Sequence, residues 1–289
     1  MQTTSAANPL AVESPVSNLD IRLLVVDIDG TIAGESNDVR EPVKQAIQAA
    51  QGKGIQVAIA TGRMYRSALR FYQAIGADLP ILAYQGAWIQ DPKTEKLYQH
   101  VPVPQKLALE LVDYYEQPEW RSQISVHCYM NDQLYIREWD SHTKDYSQRS
   151  SVQPITVGDL RSILTEAPTK ILALSNNIPL IDQLLANLRQ RYTPAELYTT
   201  KSVPTFLEAN NPGINKGIAV RYLAEEVLGL QASQVMAIGD NFNDLEMLEY
   251  AGLGVAMGNA PAGVQSIAQW VAPDVEEDGA AAAIEKFLL

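Results

Sequence analysis

Cysteine and histidine are scarce in this chain of 289 residues, which contains one cysteine and three histidines. A single cysteine cannot form an internal disulfide, so a secreted scaffold held together by disulfides is excluded. Cys128 lies in a strand-like apolar run, and we interpret it as a small half-buried hydrophobic residue rather than a nucleophile. The histidines form no HxxxH pattern and no CxxC pair occurs, so no zinc site is predicted.

Basic residues are also few, since 22 Lys and Arg stand against 34 Asp and Glu and the formal net charge is -12. This excess of negative charge argues against nucleic acid and anionic membrane as main partners. No segment approaches the apolar length that spans a membrane. Residues 1–19 lack the positive start and apolar centre of a secretory signal, and their polar composition predicts a disordered tail. We therefore expect a cytoplasmic protein.

Hydrophobic residues make up 46% of the chain, enough for a large core, and the length suits two domains. Buried strands are predicted at residues 22–27, 55–60 and 235–239, and a segment with helical spacing follows each of them. Strands that alternate with helices in this way predict a parallel sheet covered on both faces. The predicted fold class is therefore α/β, with a doubly wound, Rossmann-like core.

The middle of the chain has a different pattern. Residues 123–138 are strand-like and break at an Asn-Asp turn pair, which indicates a hairpin, and further strands and helices follow it. This mixture predicts a separate α+β unit. We expect residues 20–84 and 210–289 to form the core, and residues 85–209 to form an inserted cap domain.

Two carboxylates follow the first predicted strand in the segment Asp27-Ile28-Asp29-Gly30-Thr31. In open parallel sheets, ligands bind at the carboxyl ends of the strands. Two carboxylates in different environments can divide the work there, one staying ionised while the other holds a proton. Gly30 permits a sharp turn, after which backbone amides can point at an anion. The alternative is an ordinary Asp-Gly turn after a strand.

Candidate phosphate contacts follow the second strand and open a later helix. Thr61 and Gly62 stand at a strand-to-helix junction, where a hydroxyl and backbone amides can hold a phosphate oxygen. A threonine that caps a helix is the alternative there. Lys216 begins a predicted core helix and could neutralise a phosphoryl group, although most lone lysines are simply solvated.

An oxygen-rich cluster follows the predicted strand at residues 235–239. Asp240 stands where it could coordinate a hard cation through oxygen. Asn243 and Asp244 fall in the first turn of the next helix, near its positive end. A capped helix start would explain one aspartate, but it explains the whole cluster less well.

Taken in order, the segments DIDGT, ATGR, NKG and GDNFND resemble the four motifs of the haloacid dehalogenase superfamily. The large insert, and the segment VAMGNA near the C-terminus, are similar to those of the Cof-type phosphatases, whose α/β cap lies between the second and third motifs. The resemblance covers nearly all of the chain beyond residue 19. It implies a magnesium-dependent phosphatase whose partner is a small phosphorylated metabolite, such as a sugar phosphate, pyridoxal phosphate or flavin mononucleotide.

The resemblance also implies a role for each motif residue. Asp27 would attack phosphorus and form an aspartyl-phosphate. Asp29 would protonate the leaving oxygen and later take a proton from water. Mg²⁺ would be held by Asp27, the backbone carbonyl of Asp29 and Asp240, with Asn243 and Asp244 in support. The implied phosphate-binding residues are Gly30, Thr31, Thr61, Gly62, Gln85, Lys216 and Asn243.

Gln85 is the one motif position that departs from the family, whose members commonly have Asn-Gly-Ala where this chain has Gln85-Gly86-Ala87. The longer amide would either still reach the phosphate or lose that contact. Four aromatic residues of the insert could line a substrate pocket, although packing is the favoured interpretation for each. They are Tyr129, Tyr135, Trp139 and Tyr146.

Two other functions fit the same residues. A phosphotransferase or mutase would keep Asp27 but pass the phosphoryl group to a second substrate instead of water. A non-catalytic sensor of sugar phosphates would use the scaffold only for binding. Such a sensor usually lacks a catalytic group, whereas Asp27, Asp29, Lys216 and Asp240 are all present here. The sequence predicts no particular oligomeric state.

Overall fold

The computed structural model describes residues 20–289, so the predicted disordered tail at residues 1–19 lies outside the described residues. Strands and helices are numbered separately in chain order. The strands are β1 (Leu23–Val26), β2 (Gln56–Ile59), β3 (Ile81–Ala83), β4 (Trp88–Gln90), β5 (Leu97–His100), β6 (Ser125–Met130), β7 (Gln133–Ile136), β8 (Ile155–Thr156), β9 (Lys170–Leu174), β10 (Tyr198–Thr200), β11 (Phe206–Asn210), β12 (Val235–Gly239), β13 (Leu253–Ala256) and β14 (Trp270–Val271). The helices are α1 (Glu41–Gly52), α2 (Tyr65–Ile75), α3 (Gln105–Tyr115), α4 (Ser141–Ser150), α5 (Ile178–Arg191), α6 (Lys216–Arg221), α7 (Leu245–Tyr250), α8 (Ala262–Gln265) and α9 (Gly279–Leu288).

A five-stranded parallel sheet in the order β14-β13-β12-β1-β2 forms the core. Successive side chains of a strand point to opposite faces, so Leu24 packs with α1 and α9 while Leu23 packs with α6 and α7. Both faces are therefore covered by helices, and all four residues of β1 are buried. The predicted doubly wound α/β fold class is confirmed. Because β1 pairs with both β2 and β12, three carboxyl strand ends meet at one edge.

The insert contains a six-stranded sheet in the order β10-β11-β9-β6-β7-β8, in which only β7 and β8 are a parallel pair. The predicted hairpin is confirmed as β6 and β7, joined by Asn131 and Asp132 with φ values of 50° and 54°. A separate apolar cluster packs on this sheet, and its buried members run from Val103 to Ala209. The division at residues 85 and 209 stays a prediction.

A short antiparallel sheet in the order β3-β4-β5 joins the two parts. Its first strand falls in the short apolar run at residues 80–84, which indicates a strand, whereas the sequence pattern did not predict β4 and β5. Its strands have only three or four residues, too few to show a period of two. Leu82 and Ile89 of this sheet pack in the same apolar cluster as Leu23, so these strands are fixed to the core. The chain thus returns to the core edge before it enters the six-stranded sheet.

The predicted core helix that begins at Lys216 is only partly regular, since α6 ends at Arg221 and a π-helical turn continues over Tyr222–Val227. Among residues 20–289, no helix is long and apolar enough to cross a bilayer.

Three consecutive residues after β3 have positive φ, namely Tyr84 at 52°, Gln85 at 60° and Gly86 at 95°. Gly86 also lies against α6, because a Cβ atom built on it would stand 2.4 Å from Cβ of Ala219. Glycine therefore meets two requirements at position 86, a left-handed backbone and a close approach of two segments.

Gly86→Ala should lower the free energy of unfolding by about 2–4 kcal/mol, through left-handed strain plus overpacking. Gly52→Ala is the matched control, because Gly52 ends α1 with no heavy atom within 4 Å of a built Cβ. Denaturant unfolding followed by circular dichroism measures both variants. Equal stability of the two variants would contradict the close contact at Gly86.

Candidate active site

Lys216 is completely buried between two carboxylates at the carboxyl edge of the core sheet. Its Nζ lies 2.8 Å from Oδ1 of Asp27, which follows β1, and 2.5 Å from Oδ1 of Asp244, which precedes α7. Asn215 caps α6 by accepting a hydrogen bond from the amide of Ile218, and this cap sets Lys216 at the first position of the helix. The ammonium thereby joins two motifs that are more than two hundred residues apart, as positions 27 and 244 show.

Asp240 completes the cluster on the side of β12. Thr31 donates a hydrogen bond of 3.3 Å from its hydroxyl to Oδ1 of Asp240. Oδ2 of Asp244 accepts the backbone amides of Asp240 and Asn241 at 2.9 and 3.0 Å, which fixes the loop after the strand. A Cβ atom on Gly30 would stand 2.2 Å from Oδ2 of Asp240, so the glycine makes room for this carboxylate.

The three carboxylates suit a divalent cation. One oxygen from each of Asp27, Asp240 and Asp244 lies within 4.8 Å of the others, and all three residues are buried. Three carboxylates beside one ammonium leave an excess of negative charge in a place that water does not screen. Burial raises the pKa of Asp27 to about 7, against the opposing effect of Lys216, and burial raises the pKa of Asp240 as well. Hard oxygen ligands with excess negative charge are the donor set that Mg²⁺ prefers.

Asp29 lies between two arginines, one from the core and one from the insert. Arg63 donates two hydrogen bonds to its carboxylate, at 2.7 and 2.6 Å, and Arg149 donates a third at 3.1 Å. Burial raises the pKa of Asp29, but the hydrogen bonds and charge of Arg63, followed by the charge of Arg149, outweigh burial and hold the pKa below its usual value. In this arrangement Asp29 is an ionised carboxylate.

A cavity of about 370 Å³ opens over these residues, between the core sheet and the insert. The predicted site residues Asp27, Asp29, Thr61, Gly62 and Asn243 line its floor. Lys216 and Asp244 lie behind this floor and have no exposed surface. The insert supplies the roof, which includes Tyr146, Arg149, Lys170, Leu172, Leu174, Phe206 and Glu208.

Polar contacts also join the insert to the core. The hairpin residue Asp132 accepts hydrogen bonds from the Tyr84 hydroxyl at 2.8 Å and from Arg66 Nε at 3.1 Å. Asn241 donates to the carbonyl of Ser202 at 2.9 Å. The insert is therefore seated on the core through these contacts.

Several residues of the site had no role in the sequence interpretation. Arg63 stands inside the ATGR segment, so the motif itself could have indicated it. Lys170 and Glu208 are charged residues within the mainly apolar strands β9 and β11, and this mismatch was a usable signal. Arg149 stands in a polar helix and carries no sequence signal.

Tyr146, in contrast, was named from the sequence as a possible pocket residue, and it lines the cavity.

Cys128 is buried, and burial raises the pKa of its thiol to about 12. A thiol with a pKa this high is protonated at neutral pH and is a poor nucleophile. Cys128 therefore packs as a hydrophobic residue, as predicted, but it is completely buried rather than half-buried.

A doubly wound sheet with a buried carboxylate cluster at its strand ends, beneath an inserted α+β unit, defines an α/β enzyme with a two-part active site. The family of haloacid dehalogenase-like hydrolases matches residues 24–284, and the chain belongs to this family. The resemblance drawn from the four motifs is thereby confirmed.

The similar proteins cover nearly the whole chain. The 5-amino-6-(5-phospho-D-ribitylamino)uracil phosphatase YitU of Bacillus subtilis is 30% identical over 268 residues, which are 92% of this chain and 97% of that protein. The HMP-PP phosphatase of Cronobacter sakazakii is 29% identical and covers 83% of this chain and 85% of its own length. A haloacid dehalogenase-like hydrolase from Bacillus subtilis has the same fold, with a TM-score of 0.82, 23% identity and coverage of 93% and 100% of the two chains.

Lys216→Met should lower the free energy of unfolding by about 3–5 kcal/mol, because it leaves Asp27 and Asp244 facing each other without a cation. Adding Asp244→Asn to that variant should recover part of the loss by removing one of the buried charges. Denaturant unfolding of the two variants and the parent protein measures the effect. If the double variant is less stable than Lys216→Met, the ion-pair account of this cluster is wrong.

Proposed function

We propose that this protein is a magnesium-dependent phosphatase that hydrolyses small phosphorylated metabolites through an aspartyl-phosphate on Asp27. The observation that carries this proposal is the placement of the Asp27 carboxylate. It follows β1, lies 2.8 Å from the Lys216 ammonium and faces the cavity under the insert. A carboxylate held by a cation and open to a pocket on its other side is arranged to act as a nucleophile.

In the first step, a carboxylate oxygen of Asp27 attacks phosphorus and the bond from phosphorus to the ester oxygen breaks. The departing oxygen takes a proton from Asp29. Thr61 and the Gly62 backbone border the cavity and hold the oxygens of the phosphoryl group. Lys216 neutralises the charge that develops between Asp27 and the phosphoryl oxygens.

In the second step, water attacks phosphorus, Asp29 takes a proton from that water, and the bond to Asp27 breaks to release phosphate. The ionised state of Asp29, held by Arg63 and Arg149, is the state that this second step requires. Proton donation in the first step requires Asp29 first to take up a proton from solvent. Its pKa rises for this when those guanidinium groups turn toward the substrate phosphate, for which their planar forks are suited.

Mg²⁺ would be held by Asp27, Asp240 and the backbone carbonyl of Asp29, with Asp244 and Asn243 in support, and it would supply positive charge where a carboxylate meets a phosphate. The buried carboxylate cluster supports this assignment. The substrate class follows from the size of the cavity and from the names of the relatives, one a ribitylaminouracil phosphatase and another an HMP-PP phosphatase.

Asp27→Asn should lower phosphate release from p-nitrophenyl phosphate by at least about a thousandfold, because an amide cannot form the acyl phosphate. Asp182→Asn, an exposed substitution on α5, should leave the rate unchanged. Release is measured with Mg²⁺ and no acceptor other than water, then again with a chelator, which should stop it. Activity that appears only when a second alcohol is added would favour a phosphotransferase instead.

Asp29→Asn should slow an alkyl phosphate, such as glucose 6-phosphate, by about a hundredfold or more, and slow p-nitrophenyl phosphate much less. The physical reason is that nitrophenolate departs without a proton, whereas an alkoxide does not. The measurement is kcat for both substrates in both proteins, with folding checked by circular dichroism. Equal losses on the two substrates would rule out the acid role of Asp29.

A further inference from the structure

A buried ion pair of the insert lies directly over the phosphate loop of the core. Lys170 of β9 and Glu208 of β11 approach to 3.2 Å between Nζ and Oε2, and their side chains are 3% and 2% exposed. Moving two charges out of water is costly, and such a pair is stable only when further hydrogen bonds satisfy both groups. The pair is therefore stable only where neighbouring residues satisfy the remaining hydrogen-bonding groups of Lys170 and Glu208.

Gln85 is the first residue of the predicted insert, but the structure fixes it to the core, because its amide donates to the carbonyl of Thr61 and the flanking Leu82 and Ile89 pack in the core cluster. Each charge therefore takes one of its partners from the core side. Lys170 donates a hydrogen bond of 2.7 Å to the carbonyl of Gly62, inside the predicted phosphate loop. Glu208 accepts a hydrogen bond of 3.1 Å from Nε2 of Gln85, which follows β3. Ser202 donates to the other oxygen of Glu208 from within the insert. Separating the insert from the core would remove the Gly62 and Gln85 contacts together.

Gln85 extends this contact to the floor of the cavity. Its Oε1 accepts a hydrogen bond of 3.2 Å from Nδ2 of Asn243, and its side chain is completely buried. The Gln85 amide thus donates to Glu208 of the insert and accepts from Asn243 of the core. Asparagine, common in the family at this position, is shorter by one methylene, so it would not span the distance between Glu208 and Asn243.

The backbone holds Gln85 in place for this contact. The amide of Gln85 donates to the carbonyl of Thr61 at 2.9 Å, although its φ of 60° is unfavourable for a side chain of this size. A Cβ atom on Gly62 would stand 2.5 Å from Nε2 of Gln85, so the glycine leaves the space that the amide occupies. The local structure therefore tolerates strain that puts the Gln85 amide between the two parts of the protein.

We propose that Gln85 and Glu208 are positioning residues that couple the seating of the insert to the orientation of Asn243 in the active site. The proposal rests on the proposed phosphatase function for its kinetic consequence. Gln85 accordingly acts through Glu208 and Asn243 rather than on the phosphate itself. When the insert is seated, Glu208 fixes the Gln85 amide, and the amide fixes Asn243. When it lifts, the Gln85 amide and Asn243 lose that constraint.

The test exchanges the donor and the acceptor across the interface. Gln85→Glu places two carboxylates face to face, so kcat/KM on p-nitrophenyl phosphate should fall about ten- to a hundredfold, the range for one hydrogen bond to a charged group. Adding Glu208→Gln to Gln85→Glu restores an acceptor for Asn243 and a donor-acceptor pair across the interface. Because Glu208→Gln also removes the carboxylate that pairs with Lys170, this double variant should be more active than Gln85→Glu but less active than the parent protein.

Two more variants serve as comparisons for Gln85→Glu and the double variant. Gln85→Leu removes both hydrogen bonds without adding charge and should lose less activity than Gln85→Glu. Gln45→Leu, on the exposed face of α1, should leave kcat and KM unchanged. A purely structural role for Gln85 predicts that the losses from Gln85→Glu and Glu208→Gln multiply in the double variant. That result, or unchanged kinetics in Gln85→Glu, would overturn the proposal.

Hydrogen exchange of the same proteins gives a second readout that needs no catalysis. Gln85→Glu should speed exchange of backbone amides at residues 202–208, and the double variant should restore the parent rate. If the parent protein releases no phosphate from any monoester, the proposed function fails, but this exchange still decides the coupling between insert and core. Unchanged exchange in Gln85→Glu would show that Glu208 does not hold the insert in place.

Discussion

The buried ammonium of Lys216 is the interaction on which the rest of the active site depends. Two buried carboxylates, from Asp27 and Asp244, contact it, and removing the ammonium would leave both groups buried without a cation, which is costly. The contact in turn fixes the relation between β1, α6 and the loop after β12. The same lysine thus stabilises the core and holds the candidate nucleophile, so the stability of the fold and the position of Asp27 both depend on it.

A second buried ion pair lies in the insert, on the other side of the cavity. Lys170 and Glu208 form a buried pair whose remaining hydrogen-bonding capacity is met by Gly62 and Gln85 of the core. Polar groups at such an interface are satisfied only in one relative position, whereas apolar contacts tolerate sliding. Arg149 adds a charge contact to Asp29 at the same interface. Lifting the insert off the core would therefore break several specific hydrogen bonds together.

Much of the fold and site could be predicted, because the relevant signals are local. Strands and helices follow from the spacing of apolar residues, and each motif stands where a strand ends or a helix begins. The strands β4 and β5 around Ile89 could not be predicted, since they are too short to show a period. Arg149 could not be predicted either, because nothing in a polar helix marks the one side chain that meets Asp29. Lys170 and Glu208 stand out as charged residues in mainly apolar strands, but only the tertiary structure shows that they are buried against each other.

By itself the sequence determined the family, the α/β class and the identity of the residues at the strand ends, because parallel strands bring their carboxyl ends to one edge whatever their separation along the chain. The tertiary structure alone decided which partners those residues take. Gln85 could have faced a phosphate or the insert, and the structure places its amide between Glu208 and Asn243. Contacts between two separately packed units depend on how their surfaces meet, and no local pattern along the chain records that geometry.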